Sequence, residues 1–343
     1  MRNIMLQPEA AQTESGNESN ARTLPRIECV PRPGTPILGP SPIPHSPHLK
    51  SLELTRGCTH RCAFCSAHCP SGLAGGSAIY LYSNTAECLA AELRERSNRP
   101  WAVYVSPNAD PFPPLLEVQS EACRTVEVLA SHGIDALLMT RGYIRPSALQ
   151  VLARHRERLR ITIPLTTMDR GLQRSLEPFC ASPRLRVRQI GKLRDLGIKV
   201  QVSLEPLVPG VSDTRSNFIA LLDSLAEIGI RHVQAGYLFL RPGMTENLHQ
   251  ALASHGGAEA VLDAYSGGPT LQVGMARAAC FLPKTRRQRG YAALMALGAE
   301  RGITVSVSGA LNPDFRSPQQ LERPRASWQP LLPVFNRTCS RVG

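Results

Sequence analysis

Three times along this chain a helical stretch runs into a glycine and then directly into an apolar β-type run: Ser131-His132-Gly133-Ile134, Asp195-Leu196-Gly197-Ile198 and Glu227-Ile228-Gly229-Ile230. Glycine just past a helix supplies the left-handed turn that stops it and feeds the next strand. Repeated strand–helix units of this kind build a parallel sheet covered by helices. The pattern predicts strands near Ser51–Thr55, Trp101–Ser106, Ala136–Thr140, Leu159–Pro164, Lys199–Leu204 and His232–Phe239. Helices are predicted between them near Thr85–Arg96, Leu116–His132, Pro146–Arg156, Pro183–Leu196 and Asn217–Ile228.

Parallel strands joined by right-handed crossovers give an α/β fold, a partial (β/α)6 barrel of the TIM type. A last helix near Lys284–Arg301 and a strand near Ile303–Val307 add a C-terminal α/β segment. Residues 1–48 lack periodic apolar pattern and are rich in Pro, Ser, Asn and Gly, so they read as a disordered start and then an extended, proline-stiffened segment. Residues 49–310 then form the core domain and 311–343 a C-terminal tail.

With 42% hydrophobic and 19% charged residues the chain has the composition of an ordinary globular protein. No apolar run approaches the roughly 18 to 20 residues that cross a bilayer, and the N-terminus lacks a secretory signal. A cytoplasmic protein with no membrane partner is expected. Ten cysteines in a reducing compartment, four of them between Cys58 and Cys69, favour metal binding over disulfides. The formal charge of +12 comes almost wholly from arginine, lysine occurring only at Lys50, Lys192, Lys199 and Lys284. Such a balance permits a nucleic-acid partner, and a GC-rich coding bias produces it as well.

The densest chemistry is in Leu52-Glu53-Leu54-Thr55-Arg56-Gly57-Cys58-Thr59-His60-Arg61-Cys62-Ala63-Phe64-Cys65, a strand that runs straight into a loop of three cysteines. The spacing is C-x3-C-x2-C with an aromatic residue before the third. It resembles the signature of the radical S-adenosylmethionine (SAM) superfamily. That resemblance implies a [4Fe–4S] cluster on Cys58, Cys62 and Cys65. Three thiolates leave one of four irons open, and in that family SAM's amino and carboxylate groups take it. The implied chemistry is reductive cleavage of SAM to a 5′-deoxyadenosyl radical that removes hydrogen from a substrate. The electron would come from a donor such as flavodoxin or ferredoxin. The plainer reading is a zinc site on these cysteines with Cys69, or a non-catalytic iron–sulfur protein. Zinc sites, however, usually pair two short-spaced ligands with a distant second pair.

Further along, the likeness narrows to the spore photoproduct lyase-like branch, spanning about residues 50 to 310. Val105-Ser106-Pro107-Asn108-Ala109-Asp110-Pro111-Phe112 looks like that branch's TDPY-type turn, and Leu138-Met139-Thr140-Arg141-Gly142 like its strand ending in Thr-Lys-Ser. Thr166-Thr167-Met168-Asp169, Leu176-Glu177-Pro178 and Glu205-Pro206-Leu207-Val208-Pro209-Gly210 continue it. The resemblance places Arg141 where the family's lysine meets SAM's carboxylate, and Asn108 and Asp110 near SAM's methionyl end. It also marks two departures. Pro107 stands in the turn where the lyase has a hydrogen-donating cysteine, and Pro164 replaces a ribose-contacting serine, leaving Thr162 or Thr166 as substitutes. The implied substrate is open, with DNA photoproduct repair as one alternative, and no catalytic residue beyond the cofactor set is assigned.

Overall fold

A computed structural model describes residues 26–32, 34, 36–43, 46–65, 78–273, 278–307, 309 and 311–315. The elements run β1 (Arg26–Val30), β2 (Leu49–Leu52), β3 (Thr55–Arg56), β4 (Ala78–Tyr82), α1 (Thr85–Glu95), β5 (Ala102–Val105) and α2 (Leu116–Ser131). Next come β6 (Asp135–Met139), α3 (Pro146–Arg154), β7 (Leu159–Pro164), α4 (Arg170–Leu176), α5 (Pro183–Asp195), β8 (Lys199–Leu207), α6 (Arg215–Glu227) and β9 (His232–Tyr237). The chain continues through α7 (Met244–Leu252), α8 (Glu259–Asp263), β10 (Thr270–Gln272), β11 (Ala278–Cys280), α9 (Lys284–Ala299) and β12 (Thr304–Val307).

Seven strands form one sheet in the order β12-β9-β8-β7-β6-β5-β2, and every neighbouring pair is parallel. This is the predicted partial barrel, with the C-terminal strand β12 added beside β9. Side chains alternate between its two faces. Val103, Leu138, Ile161, Val202 and Val233 belong to the main apolar core. Their neighbours Tyr104, Thr162, Gln201, Ser203 and Gln234 point the other way, in register from strand to strand. This face of the sheet is therefore largely polar, apart from a small apolar cluster of Leu49, Ala102 and Leu137.

The helices form as patterned. On α2, Val118, Ala122, Val126 and Leu129 recur at spacings of three and four and are buried against the sheet. Gly133, at φ +70°, ends the helix, and Ile134 N donates back to Leu129 O at 3.0 Å. A residue with a Cβ would be strained in that left-handed turn. The same closure recurs after α5 and α6, where Ile198 N donates to Leu193 O and Ile230 N to Leu225 O. Asp169, Ser182 and Thr214 cap α4, α5 and α6 with their side-chain oxygens.

The structure adds elements that the strand–helix rhythm did not announce. β1 pairs parallel with β4 and β3 antiparallel with it, making a three-stranded accessory sheet. β10 and β11 form a separate antiparallel pair. β3, β10 and β11 are two or three residues long, too short for periodicity to register. No helix among the described residues is long and apolar enough to cross a membrane. The first 25 residues, residues 316–343 and Cys69 lie outside the described residues.

Candidate active site

The cysteine loop leaves the short β3 at the C-terminal edge of the barrel. Gly57, at φ +94°, turns the chain into it. Cys65 N donates to Cys62 O at 3.0 Å, closing a turn around the second and third cysteines, and Ala63 N donates to Leu176 O at 2.9 Å, tying the loop to the end of α4. Cys62 is buried, and Cys58 and Cys65 are half-buried. Cys58 is within electrostatic reach of both Cys62 and Cys65; burial above all, then Asp110 and those thiols, pushes its pKa up. Cys62 Sγ lies 3.6 Å from Cys180 Sγ, and that contact lowers the Cys62 pKa against the opposing effect of burial.

The donor set fits an iron–sulfur cluster. Among the described residues no three His, Cys, Asp or Glu side chains converge at the spacing of a single metal ion. A four-iron cluster makes a different demand, with each thiolate meeting its own iron. Three cysteines on one loop at a strand end suit it.

Asp110 stitches that loop to the barrel. One carboxylate oxygen accepts from Phe112 N at 2.8 Å and from the Thr140 hydroxyl at 2.7 Å, and the other accepts from Arg141 N at 2.7 Å. The second oxygen also lies 3.0 Å from His60 Nε2, a charge contact whose angle falls short of a hydrogen bond. His60 Nδ1 is 3.1 Å from Phe179 O. Burial alone would lower the His60 pKa and raise that of Asp110, but their mutual attraction and these bonds win, so His60 is raised and Asp110 lowered. A carboxylate so fully engaged by protein groups acts as the cap of its turn. The approach is tight enough that a Cβ on Gly142 would lie 1.8 Å from Phe112 O. Only glycine fits there.

Arg141 points its guanidinium across the mouth. It pairs with Glu177, donates to Glu205 O at 3.1 Å, and stands 5.0 Å from the ring centroid of Phe64, the aromatic residue before Cys65. Its side chain is 14% exposed. Glu177 is clasped on its other side by Arg186, which also donates to Pro164 O at 2.7 Å and Ala181 O at 3.0 Å. Burial would raise the Glu177 pKa, but Arg186 and Arg141 hold it below the ordinary carboxylate range. The Thr166 hydroxyl donates to the same carboxylate at 3.1 Å.

Two further carboxyl groups face the interior. Glu53, at the end of β2, accepts from Asn108 Nδ2 at 2.7 Å and Asn108 N at 3.3 Å. Burial nonetheless raises its pKa to about 7. Glu205 lies on β8 where the pairing with β9 shifts register, next to Pro206, which has no N–H for the ladder. Burial raises its pKa as well, against the opposing charge of Arg141.

The structure thus gathers the three cysteines, Asp110, Arg141 and Thr166 into one connected set. Asn108 is exposed at the rim on Glu53, and Thr162 lies half-buried on the inner face of β7. Sequence reasoning assigned no role to Glu53, His60, Glu177, Cys180, Arg186 or Glu205. Arg186 did leave a signal: it shares its helix face with Val187, Ile190 and Leu193, and a charge on an apolar face needs a buried partner. Cys180 left none, because its contact with Cys62 spans 118 residues.

The sequence profile of the radical SAM superfamily matches residues 52–238, more than half of the chain. An uncharacterized protein of Mycobacterium tuberculosis is 26% identical over 196 residues, 54% of this chain and 57% of that protein. The chain thus spans little more than half the length of this curated relative. A radical SAM Nα-GlyT isomerase of Pseudomonas phage M6 is 29% identical over 199 residues, 56% of this chain and 41% of the isomerase. The fold is shared with spore photoproduct lyase complexed with dinucleoside spore photoproduct, at a TM-score of 0.63 and 12% identity over 82% of this chain and 81% of the lyase. The profile match over the cysteine loop and the five barrel strands β5 to β9, with the barrel itself, establishes that this chain belongs to the radical SAM superfamily.

Proposed function

We propose that this chain is a radical SAM enzyme, with Cys58, Cys62 and Cys65 holding a [4Fe–4S] cluster and the polar barrel mouth holding SAM. The observation that carries the reading is three cysteines on one loop, near Arg141, at the C-terminal edge of the strands, the face where β/α barrels assemble active sites. When bound, the cluster supplies one electron that breaks a carbon–sulfur bond of SAM, giving methionine and a 5′-deoxyadenosyl radical. The electron comes from an external low-potential donor of the flavodoxin or ferredoxin class. The protein's own residues bind and orient. Arg141 is pre-aimed by Glu177 and Phe64 to meet SAM's carboxylate. Of the two threonines, Thr162 on the inner face is better placed for the ribose, since the Thr166 hydroxyl is taken up by Glu177.

The test is anaerobic reconstitution followed by incubation with SAM and dithionite. A brown protein that forms 5′-deoxyadenosine supports the reading; a colourless zinc-loaded protein that forms none overturns it in favour of a structural metal site. Arg141→Ala is expected to weaken SAM binding about tenfold or more while iron content stays intact. A charge-assisted contact is worth about 1.5–3 kcal/mol, and about 1.4 kcal/mol is tenfold in affinity. Equilibrium SAM binding to Arg141→Ala and Arg141→Lys decides it, and unchanged affinity in the alanine variant removes Arg141 from the site.

Exposed Arg184, Arg188 and Lys192 recur every four residues along α5, one face of the helix, and favour a polyanionic partner such as nucleic acid. Repair of the spore photoproduct is a separate matter. Thymine release in that reaction needs a hydrogen donor at the turn after β5, where Pro107 has no thiol. Incubation with the dinucleotide photoproduct is therefore expected to give 5′-deoxyadenosine with little thymine released; multiple turnovers to clean thymine would contradict this.

A further inference from the structure

Cys180 has no part in the proposed ligand set, yet its sulfur lies 3.6 Å from that of Cys62, in van der Waals contact. Hydrogen bonds between the two segments hold the pair in place. Ala63, the residue after Cys62, donates its N–H to Leu176 O at 2.9 Å. His60, two residues before Cys62, has its Nδ1 3.1 Å from the carbonyl oxygen of Phe179, the residue before Cys180. The cysteine loop is thus fastened to the α4–α5 connection on both sides of Cys62. On the connection itself, Cys180 N donates to Glu177 O at 3.2 Å and Ala181 N to Arg141 O at 2.9 Å. None of these ties involves a sulfur, so none depends on what the Cys62 sulfur is bonded to.

A disulfide needs its sulfurs about 2.05 Å apart. The remaining gap of roughly 1.5 Å can be closed by rotation about the two Cα–Cβ bonds, each of which swings its sulfur on an arc while the backbone stays pinned. Cys62 is buried and Cys180 half-buried, so a small oxidant meets Cys180 more readily. A lone oxidised thiol climbs from sulfenic to sulfinic and sulfonic acid, and the later steps are irreversible. A second thiol in contact diverts the sulfenic acid into a disulfide, which thiol reductants reopen.

We propose that Cys62 and Cys180 form a redox pair: when iron leaves Cys62 in the presence of a peroxide, the two sulfurs join in a reversible disulfide that spares Cys62 from irreversible oxidation. Hydrogen peroxide is the oxidant, and two thiols with one peroxide give one disulfide and two waters. In the first step the O–O bond breaks as the Cys180 sulfur takes one oxygen to become a sulfenic acid, and the other oxygen leaves as water. The Cys62 sulfur then attacks that of Cys180. The S–S bond forms, the S–O bond breaks, and the hydroxyl departs with the Cys62 proton as the second water. The two sulfurs together lose two electrons, which reduce the peroxide. Iron and Cys180 therefore compete for one sulfur. The disulfide needs only the two thiols, whereas its effect on cluster rebuilding rests on Cys62 being a ligand.

The experiment uses the full chain, purified without iron and treated with one equivalent of hydrogen peroxide. Peptide mapping by mass spectrometry without reduction is expected to find the Cys62 and Cys180 peptides joined, and to find them separate after dithiothreitol. In Cys180→Ala, which is expected to load iron normally before peroxide, the Cys62 peptide is expected to carry sulfinic or sulfonic acid. After peroxide and then dithiothreitol, the wild type is expected to regain most of its iron loading and the variant to lose most of it. Cys62 joined to a different cysteine in the wild type, or oxidised while Cys180 stays reduced, overturns the proposal. Equal recovery of iron loading by wild type and variant overturns the protective role. A chain that joins the two peptides but never binds iron would instead sink the cluster reading alone, so the two failures are distinguishable.

Discussion

Alanine at Cys58, Cys62 or Cys65, one position at a time, is expected to abolish stable iron–sulfur loading, whereas Cys180→Ala and Cys69→Ala keep it. Each thiolate serves its own iron, so loss of one leaves two irons, not one, without a protein ligand. The Cys180 comparison is the demanding one. Its sulfur lies 3.6 Å from that of Cys62, close enough to be mistaken for a ligand, yet it comes from the α4–α5 connection rather than from the cysteine loop. Iron and sulfide content and the visible charge-transfer absorption after anaerobic reconstitution read the outcome. Full occupancy in Cys62→Ala, or an empty Cys180→Ala protein, would move the ligand set to different residues.

The difference between Cys62 and Cys180 also marks how far the sequence could be read. The barrel strands were legible because β/α units are local: a helix ends on Gly133, and Ile134 opens the next strand within the same few residues. The cysteine motif was legible because the spacing of Cys58, Cys62 and Cys65 lies within one loop. What holds them was not. Asp110 was singled out by resemblance as a cofactor contact, and its bonds to Thr140 and Arg141 emerge only when the fold brings them to it from the neighbouring strand end. Glu53 and Glu205 are 152 positions apart, and only the folded sheet brings both within electrostatic reach of Tyr104. The short strands of the accessory sheet owe their pairing to β4 rather than to their own residues, and no periodic signal announces them.

Glu177 is the other residue whose replacement is expected to have a large effect, on the fold before the chemistry. Its carboxylate is wholly buried between the guanidiniums of Arg141 and Arg186. Arg186 is itself fully buried. Glu177→Gln removes the charge that both arginines share and leaves a buried cation uncompensated, a loss of about 3–5 kcal/mol for breaking a buried pair. That is a large share of the roughly 5–15 kcal/mol stability of a typical domain. The pH dependence has a definite sign. Arg186 and Arg141 hold the folded-state pKa of Glu177 below its ordinary value of 4.5, so the stabilisation is complete above that value. It fades as pH falls through the lowered folded-state pKa. Urea denaturation of wild type and Glu177→Gln is therefore expected to show a gap at neutral pH that narrows in acid. SAM affinity is expected to fall in the same variant, because Arg141 loses the partner that aims it. A neutral-pH difference below about 1 kcal/mol, in the range of an exposed ion pair, would mean that the two arginines find other partners and that Arg141 is aimed by Phe64 and the Glu205 carbonyl alone.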